Sequence, residues 1–155
     1  MLAAACWKQH KSNCKPSAAA KYATFVAQAE AGDVEAYGMV AMCHELGVGV
    51  AKSASEAVRW FRKGADAGVS TSQFTLGSYY RDGVGVAQDN KEALRWFRLA
   101  AAAGNSEAQC TLACCSLQGL LGVAKDIDVA VHWFTLAANA GDETAQRALR
   151  LMGVE

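Results

Sequence analysis

The chain has 155 residues, of which 52% are hydrophobic and 19% charged, a composition typical of globular rather than disordered proteins. Its 15 Lys and Arg residues balance 15 Asp and Glu residues, so no excess of basic side chains favours binding to nucleic acid or anionic lipid. The longest apolar runs span only a handful of residues, far short of the roughly twenty that cross a bilayer, so membrane insertion is not expected.

The residue types favour helices over strands. Alanine is abundant, and it loses no side-chain entropy in a helix. Strands prefer β-branched residues, yet Ile127 is the only isoleucine. Pro16 is the only proline, so the rest of the chain contains no proline to interrupt a helix. These features predict an all-α chain.

Three sequence markers repeat with one period. A-x-A-G tetrapeptides end at Gly32, Gly68, Gly104 and Gly141, with spacings of 36, 36 and 37 residues. Trp-Phe pairs begin at Trp60, Trp96 and Trp133, again 36 and 37 residues apart. A GVGV loop at Gly47 and Gly83 becomes GLLGV at Gly119, and its one inserted residue accounts for the longer spacing. Such a period is the signature of a repeat protein.

Residues 1–16 are predicted to be an irregular or decayed N-terminal segment. Apolar residues fall near the positions expected for a first helix, at Leu2, Ala4, Ala5 and Trp7. However, KSNC replaces the glycine loop, and Pro16 follows it. The opening also lacks the long apolar run and preceding basic residues of a secretory signal, so a cytoplasmic location is expected.

The first helix of each repeat is predicted from a shared pattern of apolar and small residues at i, i+4, i+5 and i+8, which lie on one helix face. The predicted helices run from Asp33 to Leu46, Ser70 to Asp82, Ser106 to Gln118 and Glu143 to Met152. The glycine loops supply the left-handed backbone conformation that ends a helix.

The second helix of each repeat is predicted to begin at a capping residue: Ser53, Asp89 or Asp126. Glu56 and Glu92 follow three residues later, which indicates a capping box, whereas the third copy has Val129 there. The Trp-Phe pairs are interpreted as core residues packed between helical hairpins.

Projecting the period backwards places Ser17 at a capping position, so the repeat array is predicted to cover residues 17–155. It begins with the second helix of a preceding repeat. Three full repeats start near residues 33, 69 and 105, and a final helix covers 142–153.

The pattern A-x-x-L-G-x-x-Y, G-x-G-V, a capping aspartate and A-x-x-W-F-x-x-A-A-x-x-G resembles the Sel-1-like repeat family, a near relative of tetratricopeptide repeats. The second copy, FTLGSYYRDGVGVAQDNKEALRWFRLAAAAG, fits almost throughout. His44 and Ser116 depart from it by replacing the aromatic residue seen at Tyr80, and Arg150 replaces a small residue. The resemblance implies a right-handed α/α superhelix, a solenoid of helix-turn-helix repeats that acts as an adaptor or scaffold for other proteins.

The resemblance also implies a binding groove, because first helices line the concave surface of tetratricopeptide solenoids. The variable positions on this side are Gly38, Met42, Glu45, Phe74, Ser78, Arg81, Cys110, Cys114 and Leu117. Their mixed apolar and charged character suits a peptide or helix of a partner protein. For Phe74, packing between repeats is an equally open interpretation.

Neither a metal nor a cofactor is predicted. The six cysteines show no repeat-spaced pairing and are expected to be free thiols. Cys110 and Cys114 share a helix face, but no further ligands complete a zinc set. Two alternatives to a binding module stay open: a structural segment of a longer array, and a β-lactam-type hydrolase, as suggested for some relatives. Ser12–Lys15 matches S-x-x-K, but no S-D-N or K-T-G accompanies it, so an enzyme is not predicted.

Overall fold

The computed structural model describes residues 17–154, which form eight α-helices and contain no strand. In chain order these are α1 (Ala18–Glu30), α2 (Val34–Leu46), α3 (Ala54–Asp66), α4 (Ser70–Asp82), α5 (Asn90–Ala102), α6 (Ser106–Gln118), α7 (Ile127–Asn139) and α8 (Glu143–Leu151). The predicted all-α class is confirmed. The N-terminal segment 1–16, with Cys6, Cys14 and the S-x-x-K sequence, lies outside the described residues.

The helices pair as the period predicts, and together they form a superhelical repeat fold. First helices α2, α4 and α6 pack against second helices α3, α5 and α7 to form three hairpins. Each second helix also packs against the first helix of the next repeat. None of the helices within residues 17–154 is long and apolar enough to span a membrane.

The capping residues predicted from the sequence begin the second helices. The Ser53 hydroxyl accepts the N–H of Glu56 at 3.3 Å, and Asp89 and Asp126 accept equivalent N–H groups at 3.1 and 3.0 Å. The third copy is therefore capped although it lacks the glutamate. A side-chain acceptor at this position satisfies one of the free N–H groups that every helix start exposes.

In a full capping box, the glutamate side chain also accepts the backbone N–H of the capping residue. This part of the prediction is wrong. The Ser53 N–H donates to the carbonyl of His44 at 2.9 Å, across the loop, so Glu56 has no N–H left to accept there. Glu56 instead pairs with Arg59 at 2.8 Å, one helical turn onward. The same pattern recurs in the second repeat, where the Asp89 N–H donates to a carbonyl at the end of α4.

The glycine loops connect one repeat to the one before it. α4 ends at Gly83, whose φ is +69°, and the chain then passes Gly85 against the start of α3. A Cβ at Gly85 would lie 2.6 Å from the carbonyl carbon of Ala54. Glycine is therefore required at this position by a close approach of two backbones as well as by its own conformation.

The Trp-Phe pairs contribute to the core to different degrees. Phe61, Phe97 and Phe134 are all buried, as predicted. Trp96 is 3% exposed, but Trp60 and Trp133 are only half-buried at the margins of their clusters.

Buried polar residues complete the contacts between helices. His44, at the position of Tyr80, is 6% exposed, and its Nε2 lies 3.2 Å from the Tyr22 hydroxyl of α1. Gln73 and Gln109 are also buried, and each Nε2 donates at 3.1 Å to a carbonyl near the end of the preceding second helix. These glutamines are 36 residues apart, so the repeat period carries a signal for them, although neither was predicted as a contact.

Candidate partner-binding face

The nine predicted groove residues lie on α2, α4 and α6, and none of them is fully buried. We call this set the groove face. Met42 is 51% exposed and Cys114 is also exposed, whereas the others are half-buried: Gly38, Glu45, Phe74, Ser78, Arg81, Cys110 and Leu117. In each helix the three members are spaced i, i+4 and i+7, which places them on one side of the helix.

Contacts between successive first helices connect this face from repeat to repeat. Burial raises the pKa of the Tyr79 phenol on α4, and the carboxylate of Glu45, near the end of α2, raises it further. One repeat later, the guanidinium of Arg81 on α4 lowers the pKa of the Cys115 thiol on α6, although burial raises that pKa overall. Ala41 of α2 shares a buried cluster with Leu76 and Tyr79 of α4, and residues of α4 and α6 line one pocket, so successive first helices are neighbours.

A pocket of about 380 Å³ opens between α4 and α6, and we call it the α4–α6 pocket. Its lining is mainly apolar and consists of Arg81, Cys110, Thr111, Cys114, Cys115, Leu120 and Leu121. Three of these belong to the groove face. Leu121 has a φ of +56°, in the left-handed region that a leucine rarely adopts, and it lies in the loop with the inserted residue.

The charge of Arg81 is balanced by the neighbouring carboxylate of Asp82. Its Nε and Nη2 donate to the two carboxylate oxygens of Asp82 at 2.7 and 2.8 Å, and the guanidinium lowers the pKa of that carboxyl. The guanidinium also lies 6.0 Å from the centre of the Phe97 ring. A pocket with a neutralised arginine and leucine walls favours an apolar side chain over a free anion.

Phe74, a member of the groove face, packs against the core. Its ring centre lies 5.6 Å from that of Phe97, and the two rings are tilted by 44°. Removing Phe74 would therefore disturb the hairpin formed by α4 and α5. The exposed groove residues around it are better probes of binding.

A second apolar pocket of about 270 Å³ lies at the α1–α2 end of the described chain. It is lined by Phe25, Met39, Met42, Cys43, Leu46 and Val48, and we call it the α1–α2 patch. Of these residues, only Met42 was predicted from the sequence as a groove residue. An apolar loop residue that recurs with the period could have indicated these pockets from the sequence. These residues are Val48, Val84 and Leu120, and they are 43%, 41% and 45% exposed.

The four described thiols are poor nucleophiles. Cys43, Cys110, Cys114 and Cys115 are free, and burial raises the pKa of each. The pKa of Cys110 reaches about 12, because the carboxylate of Asp142 adds to burial. Thiolates are the reactive form, so this environment does not prepare a catalytic cysteine. Residues 17–154 contain no group of three or more Cys, His, Asp or Glu side chains placed to hold a metal ion.

Comparison with known families gives a match over most of the described chain. The model of the Sel1 repeat family matches three consecutive segments, residues 34–69, 70–105 and 106–142. No curated protein matches the sequence significantly.

Three solved structures resemble the chain. A Sel1 repeat protein from Oxalobacter formigenes has a TM-score of 0.80 and 30% identity, over 91% of this chain and 60% of that one. A protective antigen of uropathogenic Escherichia coli with an SLR fold has a TM-score of 0.47 and 27% identity, over 88% of this chain and 37% of that one. Cysteine rich protein B of Helicobacter pylori has a TM-score of 0.58 and 23% identity, over 61% of this chain and 70% of that one. The chain thus spans less than two thirds of the first two proteins.

Proposed function

The chain belongs to the Sel1 repeat family, and from that premise we propose that it is a scaffold that binds a peptide or helix of a partner protein on its groove face. Sel1 repeats generally mediate interactions between proteins. Binding on the groove face, and on these residues in particular, is our own inference.

The observation that carries this proposal is the α4–α6 pocket. It is apolar, it opens beside exposed Cys114, and it lies on the side of the helices that repeat packing leaves free. Interface energy is concentrated in a few side chains that enter such pockets, surrounded by contacts that exclude water. One apolar anchor of the partner in this pocket, with further contacts to Met42 and Ser78, accounts for the mixed character of the face.

The chemistry of the face supports a protein partner over a polyanion. Arg81 is already paired with Asp82, and Glu45 places a negative charge on the same face. Across the whole chain, basic and acidic residues are equal in number. A polyanion would require a field of unpaired positive charge, which this face does not provide.

The free thiols support a reducing compartment, and we place the protein in the cytoplasm. Cys110 and Cys114 lie one turn apart on the surface of α6, where an oxidising environment would expose them to exchange with other thiols.

The proposal is tested by weakening the pocket without loosening the fold. A partner captured with the native chain is titrated against the double variant Arg81→Ala, Cys114→Glu. We expect at least about a tenfold loss of affinity, equivalent to about 1.4 kcal/mol. Leu99→Glu is the matched control, because Leu99 is 42% exposed on the second helix α5. Unchanged affinity in the double variant, with loss in the control, would mean that the partner binds the second helices instead.

A further inference from the structure

A pocket of about 530 Å³ lies where the end of α1, the start of α2 and the second half of α3 meet, and we call it the Trp60 pocket. It is lined by two aromatic residues, Tyr37 and Trp60, and by three charged residues, Glu30, Lys63 and Asp66. The residues that line it are all different from those of the groove face. A ligand in this pocket would therefore contact a different part of the surface from a partner bound on that face.

The core holds the two aromatic rings of the pocket next to each other. The centres of the Tyr37 and Trp60 rings lie 6.1 Å apart, and their planes are tilted by 32°. Both residues pack against the buried cluster of Ala29, Ala36 and Val40, yet each is only half-buried. Rings anchored in this way can contact a ligand without first having to be ordered, which lowers the cost of binding.

An ammonium group already lies over one of these rings. The Nζ of Lys63 is 3.9 Å from the centre of the Trp60 ring. The face of an indole ring carries partial negative charge and attracts cations. Lys63 is exposed, and within residues 17–154 it forms no ion pair. Its position shows that the Trp60 ring face accommodates an alkylammonium group.

The charges at the pocket favour a cationic ligand. Glu30 and Asp66 are both exposed, and neither forms an ion pair with another residue of the described chain. Their two carboxylates outweigh the single ammonium of Lys63, so the pocket attracts a further positive charge and repels an anion. An ammonium bound here would gain both a charged hydrogen-bond acceptor and an aromatic face.

The next junction along the chain is closed at the same place. The residues that stand one period after Tyr37, Lys63 and Asp66 are Gln73, Leu99 and Ala102. Gln73 is buried and donates to the carbonyl of Ala65, and Trp96 is 3% exposed where Trp60 is half-buried. The open, charged pocket therefore distinguishes the junction of α1, α2 and α3 from the next one, and it does not follow from repeat packing alone.

We propose that the Trp60 pocket is a second binding site, which takes the ammonium group of a lysine side chain from a partner protein. An alkylammonium is the group that this ring face already holds. The incoming ammonium replaces that of Lys63 over the ring and is attracted by the carboxylates of Glu30 and Asp66. The exposed Lys63 side chain turns out into solvent, so Lys63 competes with the ligand for the pocket.

A pair of peptides tests the chemistry of the ligand. The probe is a five-residue peptide with blocked ends and a central lysine between alanine and glycine residues, and in its control norleucine replaces the lysine. Each is titrated into the isotope-labelled full-length chain while NMR records the indole N–H signals, and Trp60→Phe identifies the signal of Trp60. We expect the lysine peptide to shift this signal and to bind at least about fivefold more tightly than its control. Equal binding of the two peptides, or a Trp60 signal that neither peptide moves, would overturn the proposal.

Variants of the charged residues test the pocket itself. Glu30→Gln and Asp66→Asn should each weaken binding of the lysine peptide by about threefold, and Lys63→Gln should strengthen it by about as much, because it removes a competitor and a like charge. Glu35→Gln is the control, because Glu35 is exposed on α2 outside the pocket. All four changes are at exposed side chains, so the native melting temperature should be kept. The proposal fails if Lys63→Gln does not strengthen binding, or if neither carboxylate change exceeds the control.

Discussion

At the scale of the residue, equivalent positions of the repeats do not contribute equally. Trp96 belongs to a buried cluster that joins the first and second repeats, together with Phe61, Leu76 and Tyr79. Trp60 occupies the same register but lies at the margin of its cluster, with the Lys63 ammonium 3.9 Å from its ring centre. The sequence predicted both as core because they share a period. It could not rank them, because their burial depends on neighbours from other repeats.

Trp96→Ala should therefore destabilise the chain far more than Trp60→Ala. Replacing a buried large side chain by alanine costs about 3–5 kcal/mol, and a half-buried one costs less. In a repeat array the loss passes to both neighbouring repeats through their interfaces. Chemical denaturation of the two variants gives the comparison. Equal losses would mean that the burial of Trp96 does not determine its contribution.

The thiols differ in exposure in a way that alkylation can measure. Among the four described cysteines, we expect iodoacetamide at pH 8 to modify Cys114 first, because it is the exposed one. Cys43 and Cys115 are buried and should react only on unfolding, and Cys110 should be slow because its pKa is raised to about 12. Mass spectrometry after timed quenching gives the order. Early modification of Cys115 would contradict the packing of α6.

The pH dependence of stability follows from the same thiol. The pKa of Cys110 is about 12 in the folded chain, above its ordinary value of 9.0, so folding favours the neutral thiol. The contribution of the neutral thiol to the free energy of unfolding is complete below pH 9 and is lost as the pH rises towards 12. As the pH rises above 8, the melting temperature of Cys110→Ser should therefore fall less than that of the native chain. Melting curves recorded at successive alkaline pH values give the comparison.

At the scale of the element, helix boundaries were predicted more accurately than the contacts between helices. The first helix was predicted to begin at Asp33, and α2 begins at Val34 with Asp33 as its capping residue. Boundaries depend on local signals, such as a capping side chain and a glycine, which the sequence displays directly. Two kinds of contact were not predicted: the hydrogen bonds of the buried glutamines, and the bond from the Ser53 N–H to the His44 carbonyl. Both depend on how two helices meet, which no local sequence pattern specifies.

Gln109→Leu tests the contact between consecutive repeats. The change keeps the size of the side chain but removes the donor to the carbonyl of Ala101, which lies at a buried site near the end of α5. The Ala101 carbonyl still accepts the N–H of Gly104 at 3.0 Å, and the change also removes the Gln109 Oε1, which is buried without a partner. The free energy of unfolding should therefore fall by no more than one net hydrogen bond, about 0.5–1.5 kcal/mol. Gln146→Leu is the control, because Gln146 is exposed and its bond to Ala138 is 3.4 Å long. A comparable loss in both variants would show that burial does not strengthen this contact.

At the scale of the whole molecule, the array follows from the period, but the pockets do not. Three shared markers predicted the eight described helices, whereas the groove residues came from the resemblance to tetratricopeptide solenoids; they lie on partly exposed sides of α2, α4 and α6. The α4–α6 pocket depends on Leu121, whose left-handed conformation follows from an inserted residue. An insertion can be seen in the sequence, but its backbone path is decided by packing around it. For this reason Leu120 and Leu121 were not predicted as site residues.

The last described helix differs from the earlier first helices at one packing position. Arg150 on α8 stands where Ala41, Gly77 and Ala113 stand in the repeats, and it is exposed. In α4 this position approaches the next second helix so closely that a Cβ would be 2.8 Å from the Phe97 ring. A second helix could not pack on α8 in the same way without displacing the arginine.

The most direct test of the binding account is site-specific photocrosslinking in the cells that make the protein. Benzoylphenylalanine is placed at Met42 or Cys114 on the groove face, and at Leu99 or Leu136 on second helices, which are 42% and 38% exposed. If the groove face binds a partner, the positions at Met42 and Cys114 will give an adduct with the same protein, and the two second-helix positions will not. An adduct from Leu99 or Leu136, with none from Met42 and Cys114, would contradict the central claim.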